Sequence, residues 1–178
     1  PELAAVDADF KHLLNSWFNR GFLELRALNW DTPASILEKL IRYEAVHAIN
    51  GWEDLRRRLA DDRRCFAFFH PAMPDAPLVF VEVALTTAIS RDIAGILTAP
   101  IDAEADTRAT TAVFYSISNC QAGLRGVSFG SFLIKQVVDE LSQDVPTLRQ
   151  FVTLSPIPGF TAWLREVETE EPWLVQLK

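Results

Sequence analysis

Arg149-Gln150-Phe151-Val152-Thr153-Leu154-Ser155-Pro156-Ile157-Pro158-Gly159-Phe160 is the run on which the reading of this chain turns. Its first half has strand composition, and the two prolines that follow permit neither continued strand pairing nor a helix interior. The run therefore predicts a strand over 149–154 that delivers Ser155 at its carboxyl end. Open α/β sheets bind their ligands at that end, which makes Ser155 the first candidate functional residue. Immediately upstream, Leu133, Ile134, Val137, Val138 and Leu141 recur at helical spacing from Gly130 onward, with Lys135, Gln136, Asp139 and Glu140 on the wet face. Before that helix, Thr111-Ala112-Val113-Phe114-Tyr115-Ser116-Ile117 reads as another strand. Strand, crossover helix and strand make a βαβ-like unit.

Further upstream the period changes twice. Cys65–Phe69 and Leu78–Leu85 are β-type runs joined by the turn-rich Pro71–Pro77, and they are expected to pair as a hairpin. Residues 86–109 are polar with a weak element at Ile93–Leu97. Toward the N-terminus, Phe10, Leu13, Leu14, Trp17, Phe18, Leu25 and Leu28 predict a first helix over most of 3–28, with Gly21 a possible break. Thr32 and Pro33 then carry a cap-then-first-turn signature, and Ile36, Leu37, Leu40, Ile41 and Val46 extend a second helix over 33–49 until Asn50-Gly51. A third covers Trp52–Leu59, with Trp52, Leu55 and Leu59 inward and Arg56, Arg57 and Arg58 outward. The expected division is a helical segment over 1–51 and a sheet domain over 52–178, truncated on its C-terminal side.

With 178 residues, 49% of them hydrophobic, the chain can build one substantial core. A net charge of −7 argues against a general nucleic-acid binder. Cys65 and Cys120 have no CxxC spacing, which fits a reducing compartment, and Cys120 reads as a packed, unreactive thiol. The longest apolar stretch, Leu78–Leu85, contains Glu82 and is too short to span a bilayer. The first residues carry no signal-peptide pattern, so a cytoplasmic location is expected, and the chain reads as a fragment. Neither Asp102, Glu104 and Asp106 nor Glu166, Glu168, Glu170 and Glu171 have the spacing of a calcium loop, and no metal site is expected.

Between the last two strands lies Arg125-Gly126-Val127-Ser128-Phe129-Gly130-Ser131. Small residues at a helix entry suit a phosphate, through free backbone N–H groups and the helix macrodipole. They equally suit an ordinary glycine-containing helix start. Ser116 and Ser118, at the end of the preceding strand, face either a ligand or a local hydrogen bond. Arg56, Arg57, Arg58, Arg63 and Arg64 offer an anion site or a solvated face. His12 and His47 fall in helical patterns and His70 in a turn, so none is placed near Ser155.

Arg125-x-x-Ser128-x-Gly130 resembles the pyrophosphate loop of the GCN5-related acetyltransferase superfamily, with Ser128 in place of its first glycine. Phe114–Ser118, Gly123-Leu124-x-Gly126-Val127, Phe132–Lys135 and Leu154–Phe160 together resemble the catalytic domain of the malonyl-CoA decarboxylase family. The resemblance covers about 52–164. It implies an α+β, GCN5-related acetyltransferase-like mixed sheet with flanking helices, preceded by a helical segment. It implies conversion of malonyl-CoA to acetyl-CoA and carbon dioxide without metal or organic cofactor, the CoA moiety belonging to the substrate. On that reading Ser155 is catalytic, Arg125, Gly126, Val127, Ser128, Phe129, Gly130 and Ser131 hold the CoA moiety with Ser116 as a substrate contact, and a histidine beyond this chain donates a proton. The expected assembly is a homo-oligomer through the helical regions, with neither nucleic acid nor membrane as partner. An acyl-CoA N-acyltransferase and a non-catalytic acyl-CoA-binding module are the alternatives.

Overall fold

In the computed structural model, which describes residues 2–17, 20–124 and 130–166, five strands form one mixed sheet in the order β1-β2-β3-β4-β5. Strands β1 (Glu24–Leu28), β2 (Arg63–Phe69), β3 (Val79–Thr86) and β4 (Thr111–Asn119) are antiparallel neighbours, and β5 (Gln150–Thr153) joins β4 in parallel. The helices are α1 (Glu2–Trp17), α2 (Ala34–Tyr43), α3 (Trp52–Arg58), α4 (Ile93–Thr98), α5 (Ala105–Arg108), α6 (Gly130–Asp144) and α7 (Phe160–Glu166).

Side-chain alternation sorts the core onto the two faces of the sheet. On one face, Leu133, Val137 and Leu141 of α6 share a core with Val79, Val81, Val83, Leu85, Ala112 and Phe114. On the other, Ile36, Leu37, Leu40 and Leu55 from α2 and α3 cover Cys65, Ala67, Phe69 and Phe80, while Ile96 of α4 covers Ala84, Val113 and Tyr115. Strand β3 is buried from both sides, which is why it reads as a nearly unbroken apolar run.

One irregularity sets the phase of β4. The register with β3 shifts at Glu82/Val83, so that Val83 pairs with Phe114 and Glu82 pairs with Ser116, leaving Tyr115 as the extra residue of a β-bulge. Tyr115 and Ser116 are both buried, and beyond them Ser118 and Cys120 are buried while Ile117 and Asn119 are exposed. Without the bulge, residues 116, 118 and 120 would turn to the α6 face.

Several expectations need correction. The first helix ends at Trp17, and Leu25 and Leu28 belong to β1, whose Glu24–Leu28 pairs with Phe69–Cys65. Pairing to an open sheet edge outweighs the good helix propensity of Glu24–Leu28, because a helix of so few residues is marginal on its own. The sheet thus draws on residues before 52. Helix α2 stops at Tyr43 and does not reach 49, because the Glu44 carboxylate accepts the backbone N–H groups of Val46 and His47, both at 2.8 Å, and turns the chain away. Thr32 does not cap α2. Its hydroxyl accepts the Asn29 N–H within the preceding turn, and the Pro33 carbonyl receives the first helical bonds. In α3, Trp52 is exposed and Arg58 is buried, the reverse of the expectation, because Arg58 has a buried acidic partner in Glu82 while Trp52 packs edge-on against Trp30. The hairpin, the crossover helix and both strands around it form as expected.

Leu55 is fully buried between α2, α3 and the sheet, so Leu55→Ala should cost about 2–5 kcal/mol of stability. Urea unfolding followed by circular dichroism measures it. An unchanged midpoint would contradict this packing.

Candidate functional site

Strands β4 and β5 run together only over Thr111–Phe114 and Gln150–Thr153. The Leu154 N–H still donates to the Phe114 carbonyl at 2.8 Å, and there the two chains part. Strand β4 continues to Asn119 along β3, while Leu154 leads into Ser155, Pro156 and Ile157, which belong to no regular element, and then into a turn at Pro158 and Gly159. The prolines prevent this segment from following β4. Gly159, at φ +77°, then reverses the chain into α7, a conformation that only glycine adopts freely. Exposed Ser155 therefore stands just past the point where β4 and β5 stop pairing.

The part of β4 beyond its last β5 pairing is fastened on the α2 face. Glu44, at the end of α2, is 9% exposed. The Ser116 hydroxyl donates to its carboxylate at 2.8 Å and the Ser118 hydroxyl at 3.0 Å. Ser118 Oγ in turn accepts the Ala45 N–H at 3.2 Å. Ser116 is therefore enclosed and engaged by Glu44, with 2% of its surface exposed.

Beside this network, Arg58 Nη1 donates to Glu82 Oε2 at 2.9 Å, Arg58 Nε to Asp54 at 3.1 Å, and Arg58 Nη2 to the His47 carbonyl at 3.1 Å. The guanidinium lies 5.8 Å from the centre of the Tyr115 ring, and the His47 ring is 6.5 Å from it on another side. Burial pushes the Glu82 carboxyl up to about 8 against the opposing pull of Arg58, with Glu44 adding to the rise. Burial, and then Glu82, likewise raises the Tyr115 phenol. Glu82 Oε1 and the Tyr115 hydroxyl find no hydrogen-bond partner among the described residues.

The remaining arginines are committed to the scaffold. Arg57 makes a two-pronged contact to buried Asp62, at 2.7 and 3.1 Å, which Arg63 also reaches at 3.0 Å. Arg64 bridges Asp106 and Asp144, and exposed Arg56 lies over the Trp30 ring. Asp102 pairs with Arg108, and among the described residues no group of acidic, histidine and cysteine side chains could hold a metal ion. Burial raises the Cys65 thiol well above its ordinary range, and burial together with Glu44 pushes that of Cys120 up to about 12. His47 stands in the loop after α2, and His12 lies on the exposed α1.

Of the sequence-predicted site, exposed Ser155 follows β5, buried Ser116 lies on β4 just past the last β5 pairing, and α6 begins at Gly130 and Ser131. Arg125, Gly126, Val127, Ser128 and Phe129 lie outside the described residues. Glu44, Glu82 and Tyr115 escaped the sequence reading, and Arg58, there offered as an anion site or a solvated face, is buried against Glu82. The one signal for Glu82 was a glutamate in the middle of an otherwise apolar strand.

This strand order, with β5 in parallel and then diverging, defines an acetyltransferase-like fold. The structure of an aminoglycoside acetyltransferase from an uncultured soil metagenomic sample superposes with a TM-score of 0.51 at 13% identity, over 85% of this chain and 91% of that one. Residues 21–177 match the family model of the malonyl-CoA decarboxylase C-terminal domain, and the chain belongs to that family. It is similar to the mitochondrial malonyl-CoA decarboxylases of Anser anser anser and Mus musculus, at 45% identity over 166 residues in each case. That is 92% of this chain but only 33% and 34% of theirs. Malonyl-CoA decarboxylase structures from Agrobacterium vitis and Rhodopseudomonas palustris are 64% and 57% identical, with TM-scores of 0.87 and 0.84. These cover 97% and 96% of this chain, and 42% and 43% of the structures.

Two outcomes follow from the buried groups. An unfolded glutamate titrates near 4.3, whereas Glu82 in the fold titrates at about 8. Between those values the folded state keeps a proton that the unfolded state releases, so stability falls as pH rises through this window. Melting temperatures at pH 5 and pH 8 should show that decline, and Glu82→Gln should flatten it; equal slopes in both proteins would refute the assignment. Both thiols should react with a maleimide far more slowly in the native protein than in denaturant, as mass spectrometry can follow.

Proposed function

We propose that this chain forms part of the malonyl-CoA-binding and decarboxylating domain of its protein, releasing carbon dioxide and leaving acetyl-CoA. The observation that carries this reading is the placement of exposed Ser155 where β4 and β5 part, in a chain that belongs to the malonyl-CoA decarboxylase family. The β4 edge past Phe114, which has no β5 partner, suits an extended thioester arm. The arm's phosphates are assigned to residues 125–131. Gly130 opens α6, a helix of 15 residues whose N-terminal N–H groups and macrodipole favour an anion.

In the reaction, the bond between the α-carbon and the carboxylate breaks and its electron pair moves into the thioester, giving an enolate. Ser155 Oγ–H donates a hydrogen bond to the oxygen where that charge collects. A single donor of this kind is worth about 3–4 kcal/mol of barrier. The α-carbon then takes a proton, a step that needs a positioned acid. The family resemblance assigns it to a histidine outside this chain. Buried Ser116 acts by holding β4 in place, with its hydroxyl turned to Glu44. No metal or organic cofactor is called for, because the thioester itself is the electron sink.

Helix α1 supports an assembly role for the helical region. Leu3, Val6, Phe10, Leu13 and Trp17 alternate three and four residues apart and are all at least 44% exposed, a stripe suited to packing against another helix. Phe18 lies outside the described residues.

In the protein that carries this chain, Ser155→Ala should lower carbon dioxide release from labelled malonyl-CoA by about 10²–10³, with affinity for the thioester within a few-fold of the parent. Undiminished turnover would remove Ser155 from the mechanism. Transfer of the acyl group to an amine, in place of carbon dioxide release, would replace this reading with an N-acyltransferase.

A further inference from the structure

We propose that Glu44 is a positioning residue for the thioester site, a latch that ties the loop between α2 and α3 to the part of β4 that has left β5. This inference rests on the decarboxylase reading above. Glu44 Oε1 accepts the N–H groups of Val46 and His47, and the Ser116 hydroxyl is shared between its two oxygens. Oε2 also takes the Ser118 hydroxyl. One carboxylate therefore receives donors from both sides of the join. The Ala45 N–H to Ser118 contact adds a direct bond between loop and strand.

Two features distinguish a latch from an ordinary helix end. First, the serines reach Glu44 only because the Tyr115 bulge turns residues 116 and 118 to the α2 face, so the strand is adapted to the carboxylate. Second, β4 is paired with β3 through Asn119, so its ladder bonds are made to β3 and not to Glu44. What Glu44 holds is the loop after α2 against the part of β4 that lies beyond β5, where the His47 carbonyl is also held by Arg58. Backbone hydrogen bonds to buried carboxylates are strong and directional, and loosening a preorganised element that lines a ligand lowers affinity, because its ordering must then be supplied on binding.

The test uses the protein that carries this chain, assayed for carbon dioxide release from malonyl-CoA. Glu44→Ala should raise KM about tenfold with kcat changed by less than about threefold, and the paired Ser116→Ala/Ser118→Ala variant should do the same. Combining all three changes should add little, since one latch is being cut twice. Amide hydrogen exchange should quicken at residues 45–49 and leave β2 and β3 untouched. Glu44→Gln, which keeps the size of the side chain and an acceptor for the loop, should fall between parent and alanine variant; it carries the test if Glu44→Ala does not fold. A purely structural role would lower the active fraction, and with it kcat, at constant KM. That result, or unchanged kinetics in all variants of an active parent, overturns the latch. A parent that releases no carbon dioxide from malonyl-CoA overturns the underlying decarboxylase reading instead.

Discussion

A single extra residue in β4 governs the layout of this molecule. Strands alternate their side chains with period two, so a bulge at Tyr115 exchanges the facing of everything after it. Before the bulge, Ala112 and Phe114 pack under α6; after it, Ser116 and Ser118 meet Glu44, and Cys120 joins the core beneath α2 and α3. The same strand thus serves the hydrophobic core in one half and a polar network in the other. The changeover falls within a residue of the point where β5 departs.

The polar network shows how the fold tolerates charge in its interior. Buried ion pairs recover little net stability, since desolvation offsets attraction, but removing one partner is costly. Asp62 gathers Arg57 and Arg63, and Arg58 gathers Asp54 and Glu82. These arginines are engaged within the scaffold, and the proposed function therefore assigns the phosphates of the ligand to the α6 entry. The overall charge of −7 is consistent with that: an anionic ligand finds no attracting field and must be held by local donors.

Much of the sheet was legible in the sequence, for a physical reason. The hairpin, the crossover helix and the strand before Ser155 bury long apolar runs with clear periods, and the prolines at 156 and 158 mark where pairing stops. Strand β1 was read as helix because Glu24–Leu28 is short and acquires its state from pairing with β2. The end of α2 was overshot because the Glu44 side chain competes for the backbone N–H groups of the next turn. Arg58 was read as solvated because its neighbours in the chain are charged, while its partner Glu82 is supplied by a strand distant in sequence. The candidate site divides in the same way. Ser155 is announced by its own neighbours, whereas Glu44 and Tyr115 gain meaning only from a bulge that no local pattern encodes.

The Pro156-Ile157-Pro158-Gly159 segment bears on how such a site ages. Its side chains are exposed and contribute little to the core, so the aim of Ser155 is written in the torsional stiffness of its own few residues. A nucleating core elsewhere can drift through many substitutions, loosening or tightening the domain, without redirecting that serine. Under the proposed function, the end of the molecule that meets the thioester is a short stiff word, while the rest of the text is free to be revised.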